Sequence, residues 1–232
     1  MDFKKFNWSF ENLSDDIKQK FAQDLLKQGT EVCRSSFDRL HGYFQIMELL
    51  IKEALEHELE SLEQTAHDLP VEKEGHFWAW NYPTYLENIS PLLRSSFLIT
   101  LYSLLEKELR RYCQILKDFE DIPLSSDDLV GSKIEKAKTY IHKIAGYPVV
   151  SKELWDEIMD FALVRNCIVH NGGFINKKLP KETQLRTILG KYQGISLEYD
   201  RIIPNKEFCV RMLTKCKQLL EDLHNELLKR IK

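Results

Sequence analysis

The chain has few of the residues that interrupt helices. Glycine accounts for 9 and proline for 7 of its 232 residues, whereas 43% of the residues are hydrophobic and 30% are charged. This composition excludes a disordered chain and is typical of a folded, helix-rich protein. The length is sufficient for one large domain or two small ones.

Long apolar runs are absent as well. The sequence contains no run of about 18 apolar residues, which a membrane-spanning helix needs. The opening residues 1–6 are not followed by the apolar core of a signal peptide. We therefore expect a cytoplasmic protein that has no membrane partner.

The cysteines form no recognisable framework. There are five, an odd number, and none belongs to a Cys-x-x-Cys pair. This pattern argues against a disulfide scaffold and against a zinc site. We interpret the cysteines as reduced, small core residues. They are Cys33, Cys113, Cys167, Cys209 and Cys216.

The net charge provides no general attraction for nucleic acid, because 33 basic residues are outnumbered by 36 acidic ones. The distribution is uneven, however. Residues 161–191 contain six lysines and arginines against the single acid Glu182, and residues 48–74 contain nine acids against two lysines. We interpret the basic stretch as a candidate electrostatic footprint for RNA. The acidic stretch is either a solvated helix face or a docking surface for a basic partner.

Apolar residues recur every three or four positions along most of the chain, which predicts an all-α fold. We expect the first helix to break near Gly29 or Gly42. The expected helices cover residues 14–67, 91–119, 132–145, 151–171 and 205–231.

Two stretches do not follow the helical period. Residues 76–85 are rich in aromatic side chains, and we predict a long loop over 69–91 that is packed by them; they either form a small core or stack on bases. Residues 174–204 are expected to be irregular, apart from a short β-hairpin near 185–203 that turns near Gln193-Gly194.

The most informative segment ends the helix expected over 151–171. An arginine and a histidine are five positions apart, and an Asn-Gly-Gly sequence that favours a helix end follows directly. Arginine binds phosphate and keeps its charge, whereas histidine exchanges a proton near neutral pH. Cleavage of an RNA backbone needs both capacities. The segment is Arg165-Asn166-Cys167-Ile168-Val169-His170-Asn171-Gly172-Gly173.

This segment and the long helix before it resemble the HEPN superfamily of α-helical domains. The family signature is Arg, four to six residues and then His, often with Asn directly after the Arg. Here Asn166 follows Arg165, and four residues separate Arg165 from His170. The resemblance covers roughly residues 90–230. It implies a HEPN-like helical domain over 90–232, preceded by an N-terminal helical extension over 1–89 that is regulatory or binds a partner.

Many proteins with this pattern are metal-independent endoribonucleases that act in toxin–antitoxin pairs, abortive infection and CRISPR-linked defence. The resemblance implies RNA as the substrate, no cofactor, and a homodimer in which two motif helices complete one active site. A regulatory protein or an antitoxin partner is also expected, because unrestrained RNA cleavage would harm the host. Family members that are modified by antitoxins carry Tyr two residues after the His. Gly172 stands there in this chain, which argues against that form of control.

The resemblance also assigns roles to individual side chains. Arg165 would bind phosphate, and His170 would act as general acid or base on the 2′-hydroxyl and the leaving oxygen. Asn166 would orient either the phosphate or His170. Taken singly, Arg165 and His170 also fit a surface salt bridge and a favourable helix terminus. Tyr102 and Glu106 are expected to support the site, and Glu106 either pairs with Arg165 or forms a salt bridge elsewhere. Asn171, Lys177 and Lys178 are expected near the substrate. The alternative role for Asn171 is helix capping.

Two other interpretations remain open. In one, the chain is a catalytically inactive HEPN-like module that binds RNA or a protein partner. In the other, it is a helical adaptor whose Arg/His pair is coincidental, and the basic stretch does not contact RNA at all. The six histidines other than His170 have no partner pattern, and we interpret them as non-catalytic.

Overall fold

The structure is a computed structural model that describes residues 14–81, 84–148, 151–176 and 181–230. Within these ranges the chain is almost entirely helical and has a single two-stranded antiparallel hairpin, so the predicted all-α fold with a small hairpin is confirmed. None of the described helices is long and apolar enough to cross a membrane. The elements are α1 (Asp15–His67), α2 (Val71–Asn81), α3 (Thr84–Phe119), α4 (Lys133–Thr139), α5 (Lys152–Asn171), α6 (Glu182–Lys191), β1 (Ile195–Glu198), β2 (Arg201–Pro204) and α7 (Lys206–Arg230).

The chain divides into two compact units. The first consists of residues 1–36, 106–152 and 217–232, and the second of residues 37–105 and 153–216. Helices α1, α3 and α7 each contribute to both units. Each unit contains residues both from the expected N-terminal extension (1–89) and from the expected HEPN-like domain (90–232). The role expected for residues 1–89 stays a prediction.

Polar contacts between helices accompany the apolar core of the first unit. Arg111 on α3 donates one hydrogen bond to the carbonyl of Gly29 on α1 at 2.7 Å and another to the buried carboxylate of Glu108 at 2.8 Å. Thr30 on α1 meets His224 on α7, with Oγ1 2.6 Å from Nδ1. α1 is therefore tied to both α3 and α7 inside this unit.

The second unit has a core of aromatic and aliphatic side chains from α1, α3, α5, α6 and α7. Phe44 on α1 packs on Phe97 of α3, with ring centroids 4.4 Å apart. A bidentate salt bridge lies beside them, in which Nε and Nη2 of Arg94 donate to the carboxylate of Glu48 at 2.8 and 2.9 Å. The five cysteines, distributed over both units, are all buried and free, as the sequence predicts.

Helix α1 continues without the break that we expected at Gly29 or Gly42, so that prediction is wrong. A β-carbon at Gly29 would collide with Nη1 of Arg111, which explains a glycine in the helix interior. Glycine costs a helix only about 1 kcal/mol, which tertiary packing offsets.

The loop predicted over 69–91 is also wrong, because α2 and the first turns of α3 occupy most of it. α2 begins just after Pro70, and Glu72 and Glu74 lie in its first turn, where proline and acids favour a helix start. α3 runs through Pro91, which we expected at its beginning. Residues 82 and 83 lie outside the described residues.

The region 174–204 is more regular than predicted. Helix α6 occupies residues 182–191, and the hairpin turns at Tyr199 and Asp200 rather than near Gln193-Gly194. Both turn residues have positive φ, 46° and 61°, as a two-residue hairpin turn with the strand twist requires.

Candidate active site

Helix α5 carries the Arg165–His170 motif and is anchored by its apolar face in the second unit. Eight of its side chains are buried, among them Trp155, Ile158 and Phe161. The helix ends as the sequence predicts. Gly172 takes the left-handed conformation with φ 61°, and the N–H of Gly173 donates back to the carbonyl of Cys167 at 3.1 Å. This hydrogen bond satisfies one of the carbonyls that a helix end leaves without partners.

The chain beyond the motif is fastened to the hairpin. The N–H of Ile202 donates to the carbonyl of Gly173 at 2.9 Å, and the N–H of Ile175 donates to the carbonyl of Asp200 at 2.7 Å. Phe174 forms an isolated antiparallel bridge with Arg201. Three residues after His170 the backbone is therefore already held by a segment almost thirty residues further along the chain, which periodicity does not predict.

Arg165 lies half-buried between two other candidate residues. Its Nη1 donates to Oδ1 of Asn166 at 3.1 Å, and its Cζ lies 4.8 Å from the centroid of the Tyr102 ring. Tyr102 is buried and meets Phe161 edge to face, with centroids 5.5 Å apart. Three of the residues selected from the sequence thus lie together.

The positive charge of Arg165 is not compensated within the described part of the chain. No described carboxylate forms an ion pair with it, and its buried Nε has no hydrogen-bond partner there. An unsatisfied buried donor costs about 1–3 kcal/mol. The interpretation of Arg165 as one half of a surface salt bridge therefore lacks support within the described residues.

His170 is exposed in the last turn of α5. Five positions along an α-helix correspond to a rise of about 7.5 Å and a rotation of about 140°. The side chains of Arg165 and His170 consequently leave the helix in different directions. This geometry fits a site to which a second chain contributes, and it equally fits a helix terminus that favours a basic residue.

The supporting residues have mixed outcomes. The Glu106 carboxylate lies 3.3 Å from Nζ of Lys133, in the first unit, which is the salt-bridge alternative of its expected roles. Asn171 is the last residue of α5, and its backbone carbonyl accepts the N–H of Phe174 at 3.0 Å; the role of its side chain stays a prediction. Lys177 and Lys178 lie outside the described residues.

Two basic residues of the stretch 161–191 form ion pairs with acidic residues. Lys191 lies 2.8 Å from Asp160, and this hydrogen bond raises the pKa of the lysine. Arg186 contacts both Glu182 and Asp200, at 2.8 and 3.1 Å. Of the basic side chains in the described part of this stretch, only Arg165 and Lys181 have no ion pair with a described acid, so the electrostatic footprint is narrower than the sequence suggested.

One neighbour of the motif was missed by the sequence analysis. Phe174 is 50% exposed directly after Gly173, and the guanidinium Cζ of Arg201 lies 5.8 Å from its ring centroid. A large aromatic residue after an Asn-Gly-Gly helix end was the available signal, but its partner Arg201 is visible only in the folded chain.

In comparisons with known proteins, the chain matches no family model, no curated protein and no solved structure. The resemblance to the HEPN superfamily therefore rests on the sequence motif alone.

Proposed function

We propose that this chain is a metal-independent endoribonuclease that acts as a toxin or an anti-phage defence effector. The observation that carries the proposal is the state of Arg165, a half-buried guanidinium held by Tyr102 and Asn166, without a carboxylate partner among the described residues. Such a group is suited to binding a phosphate. An exposed histidine on the same helix supplies the proton transfer that RNA cleavage requires.

In the proposed reaction the 2′-hydroxyl of RNA attacks the adjacent phosphorus atom. The bond to the leaving 5′-oxygen breaks, and the products are a 2′,3′-cyclic phosphate and a 5′-hydroxyl. His170 takes the proton of the hydroxyl or delivers one to the leaving oxygen. Arg165 stabilises the charge that develops on the phosphate, and Asn166 holds Arg165.

The resemblance adds a homodimer and a regulatory partner to the proposal. If each motif helix contributes an Arg and a His, the angular separation of Arg165 and His170 is accommodated by two chains. A cytoplasmic antitoxin or regulator would keep the nuclease inactive until a signal releases it.

The test is incubation of the purified chain with total RNA in EDTA, followed by analysis of the RNA ends. We expect the wild type to produce cyclic-phosphate ends and the His170→Ala variant to produce none. His57→Ala is a matched control, because His57 is an exposed helical histidine outside the motif. An oligonucleotide of DNA should remain intact.

The second candidate function is a catalytically inactive HEPN-like module that binds RNA or a protein. The ion pairs of Arg186 and Lys191 favour a protein ligand over RNA for such a module, because they reduce the positive charge that the basic stretch offers to RNA. This candidate predicts that the wild type does not cleave RNA and that His170→Ala changes little. Cleavage that persists in His170→Ala would contradict the nuclease mechanism.

A further inference from the structure

Helix α1 carries large apolar side chains on two opposite faces. One face belongs to the core of the second unit, where Phe44, Met47 and Ile51 are buried. On the opposite face, four large apolar side chains remain at least half exposed. They are Tyr43 (50% exposed), Ile46 (61%), Leu49 (54%) and Leu50 (57%).

These side chains form one continuous surface. Positions 43, 46 and 50 have the spacing of three and four residues that places side chains along one side of a helix, and Leu49 widens the patch. Contiguous exposed apolar surface marks interaction sites in soluble proteins. We call this surface the outer stripe, and it consists of Arg39, Gly42, Tyr43, Ile46, Leu49, Leu50 and Glu53.

The outer stripe contains both a hollow and a projection. Gly42 has no side chain, and no atom lies within 4 Å of the position that a β-carbon would take there. Leu49 follows seven residues later, about two turns along nearly the same line of the helix, and projects into solvent.

The two ends of the outer stripe have opposite charges. Arg39 lies seven residues before Ile46 and Glu53 seven residues after it, and both are exposed. In two such helices that run antiparallel with Ile46 at the centre, each Arg39 faces Glu53 of the other helix. A parallel arrangement would place like charges opposite each other, which is unfavourable.

We propose that the outer stripe binds the outer stripe of a second copy of this chain, antiparallel about a two-fold axis at Ile46. The arrangement places Gly42 opposite Leu49 and Tyr43 opposite Leu50 of the second copy, because the members of each pair are almost equally far from Ile46 along the helix. The symmetry repeats every contact. An apolar centre with charges at its edge is the usual composition of a protein interface.

This inference concerns α1 alone. Helix α5 contributes no residue to the outer stripe, so this interface is distinct from the pairing of motif helices in the proposed nuclease, and a chain that uses both forms an assembly larger than a dimer.

Sedimentation equilibrium of the full chain tests the interface. We expect the wild type to have at least twice the mass of the 27.4 kDa chain. Ile46→Glu and Gly42→Leu should each raise the dimer Kd at least roughly tenfold. Gly42→Leu also increases helix propensity, and its circular dichroism and Tm should not fall, so a loss of dimer cannot be attributed to unfolding.

Charge reversal tests the antiparallel orientation. Arg39→Glu and Glu53→Arg should each weaken the dimer, and the two changes combined should restore it, because opposite charges face each other again. Val71→Glu is the control, since Val71 is 86% exposed and lies outside the outer stripe.

Three results would overturn the proposal. A wild type that stays monomeric at its highest soluble concentration would leave the outer stripe to a different protein. A dimer that is unaffected by Ile46→Glu and Gly42→Leu would use another surface. A charge-reversed double variant no tighter than its single variants would exclude the antiparallel pairing.

Discussion

The guanidinium of Arg165 lies against the ring of Tyr102, with Cζ 4.8 Å from the ring centroid. A cation over an aromatic face is attracted by about 0.5–2 kcal/mol, and the ring does not cancel the charge as a carboxylate would. Tyr102 therefore holds Arg165 in place and leaves its charge available to an anion.

Replacement of Tyr102 should weaken the proposed nuclease. We expect Tyr102→Leu to lower kcat/KM for RNA by roughly tenfold, because the cation–π contact is lost. Tyr102→Phe keeps the ring and should retain most activity. Both variants are assayed below the Tm of the less stable one, which separates the effect from loss of the buried ring. Equal losses in the two variants would show that the hydroxyl, and not the ring face, matters.

A side chain at Gly172 should destabilise the end of α5. Its φ of 61° is a left-handed conformation, which costs a residue with a β-carbon about 1–2 kcal/mol. Gly172→Ala should lower the free energy of unfolding in urea by about that amount. Gly75→Ala is the matched control, because Gly75 is exposed in α2 with no atom within 4 Å of a β-carbon. Alanine there should stabilise the protein by up to about 1 kcal/mol.

The Glu48–Arg94 pair should be sensitive to the loss of one partner. The Glu48 side chain is only 8% exposed, so Arg94→Leu leaves a buried carboxylate without its cation and should cost about 3–5 kcal/mol. Arg110→Leu removes the partner of Asp127 from a pair with side chains 71% and 59% exposed, and should cost at most about 1 kcal/mol. Denaturant unfolding of both variants measures the difference, and similar losses would contradict the importance of burial.

Stability should fall in mild acid through His224. Burial lowers the pKa of His224 below its ordinary value of 6.5, and the nearby charges of Arg34 and Arg111 lower it further. The unfolded chain then binds a proton more readily than the folded one. The contribution of His224 to the free energy of unfolding is fully present above the pKa of the unfolded chain. It is lost as pH falls from about 6.5 toward the pKa of the folded chain, by at most about 1.4 kcal/mol per pH unit.

Removal of the imidazole checks this dependence. Thr30 Oγ1 lies 2.8 Å from the carbonyl of Leu26, and when it donates there, the His224 tautomer that donates satisfies the 2.6 Å contact with Thr30. Glutamine can donate in its place without titrating. The free energy of unfolding of His224→Gln, measured between pH 7 and 5, should therefore fall less than that of the wild type. Parallel pH profiles for the two proteins would exclude His224 as the cause.

The predictions that the structure confirms depend on the chemistry of neighbouring residues. The end of α5 follows from Gly172, because a glycine after an amphipathic stretch supplies the left-handed residue by itself. The grouping of Arg165 with Tyr102 followed from the resemblance and not from periodicity.

Contacts between distant residues explain the errors. The expected break at Gly29 is absent because tertiary packing offsets the cost of a glycine in the helix interior, and Arg111, 82 positions further along, donates to the Gly29 carbonyl there. Gly194 does not form the hairpin turn. Its positive φ serves the passage from α6 to β1, where a β-carbon would approach the backbone nitrogen of Phe208 at 2.7 Å.

The hairpin forms hydrogen bonds with Gly173 and Ile175, so substitutions in the hairpin should also affect the function of the motif. A random-mutagenesis screen for loss of function should return substitutions in residues 199–204 as well as in α5, although the hairpin contains none of the proposed catalytic residues. A longer hairpin turn would change the position of the backbone that follows His170. The turn therefore offers a place to tune activity by a few inserted residues while every motif side chain stays unchanged.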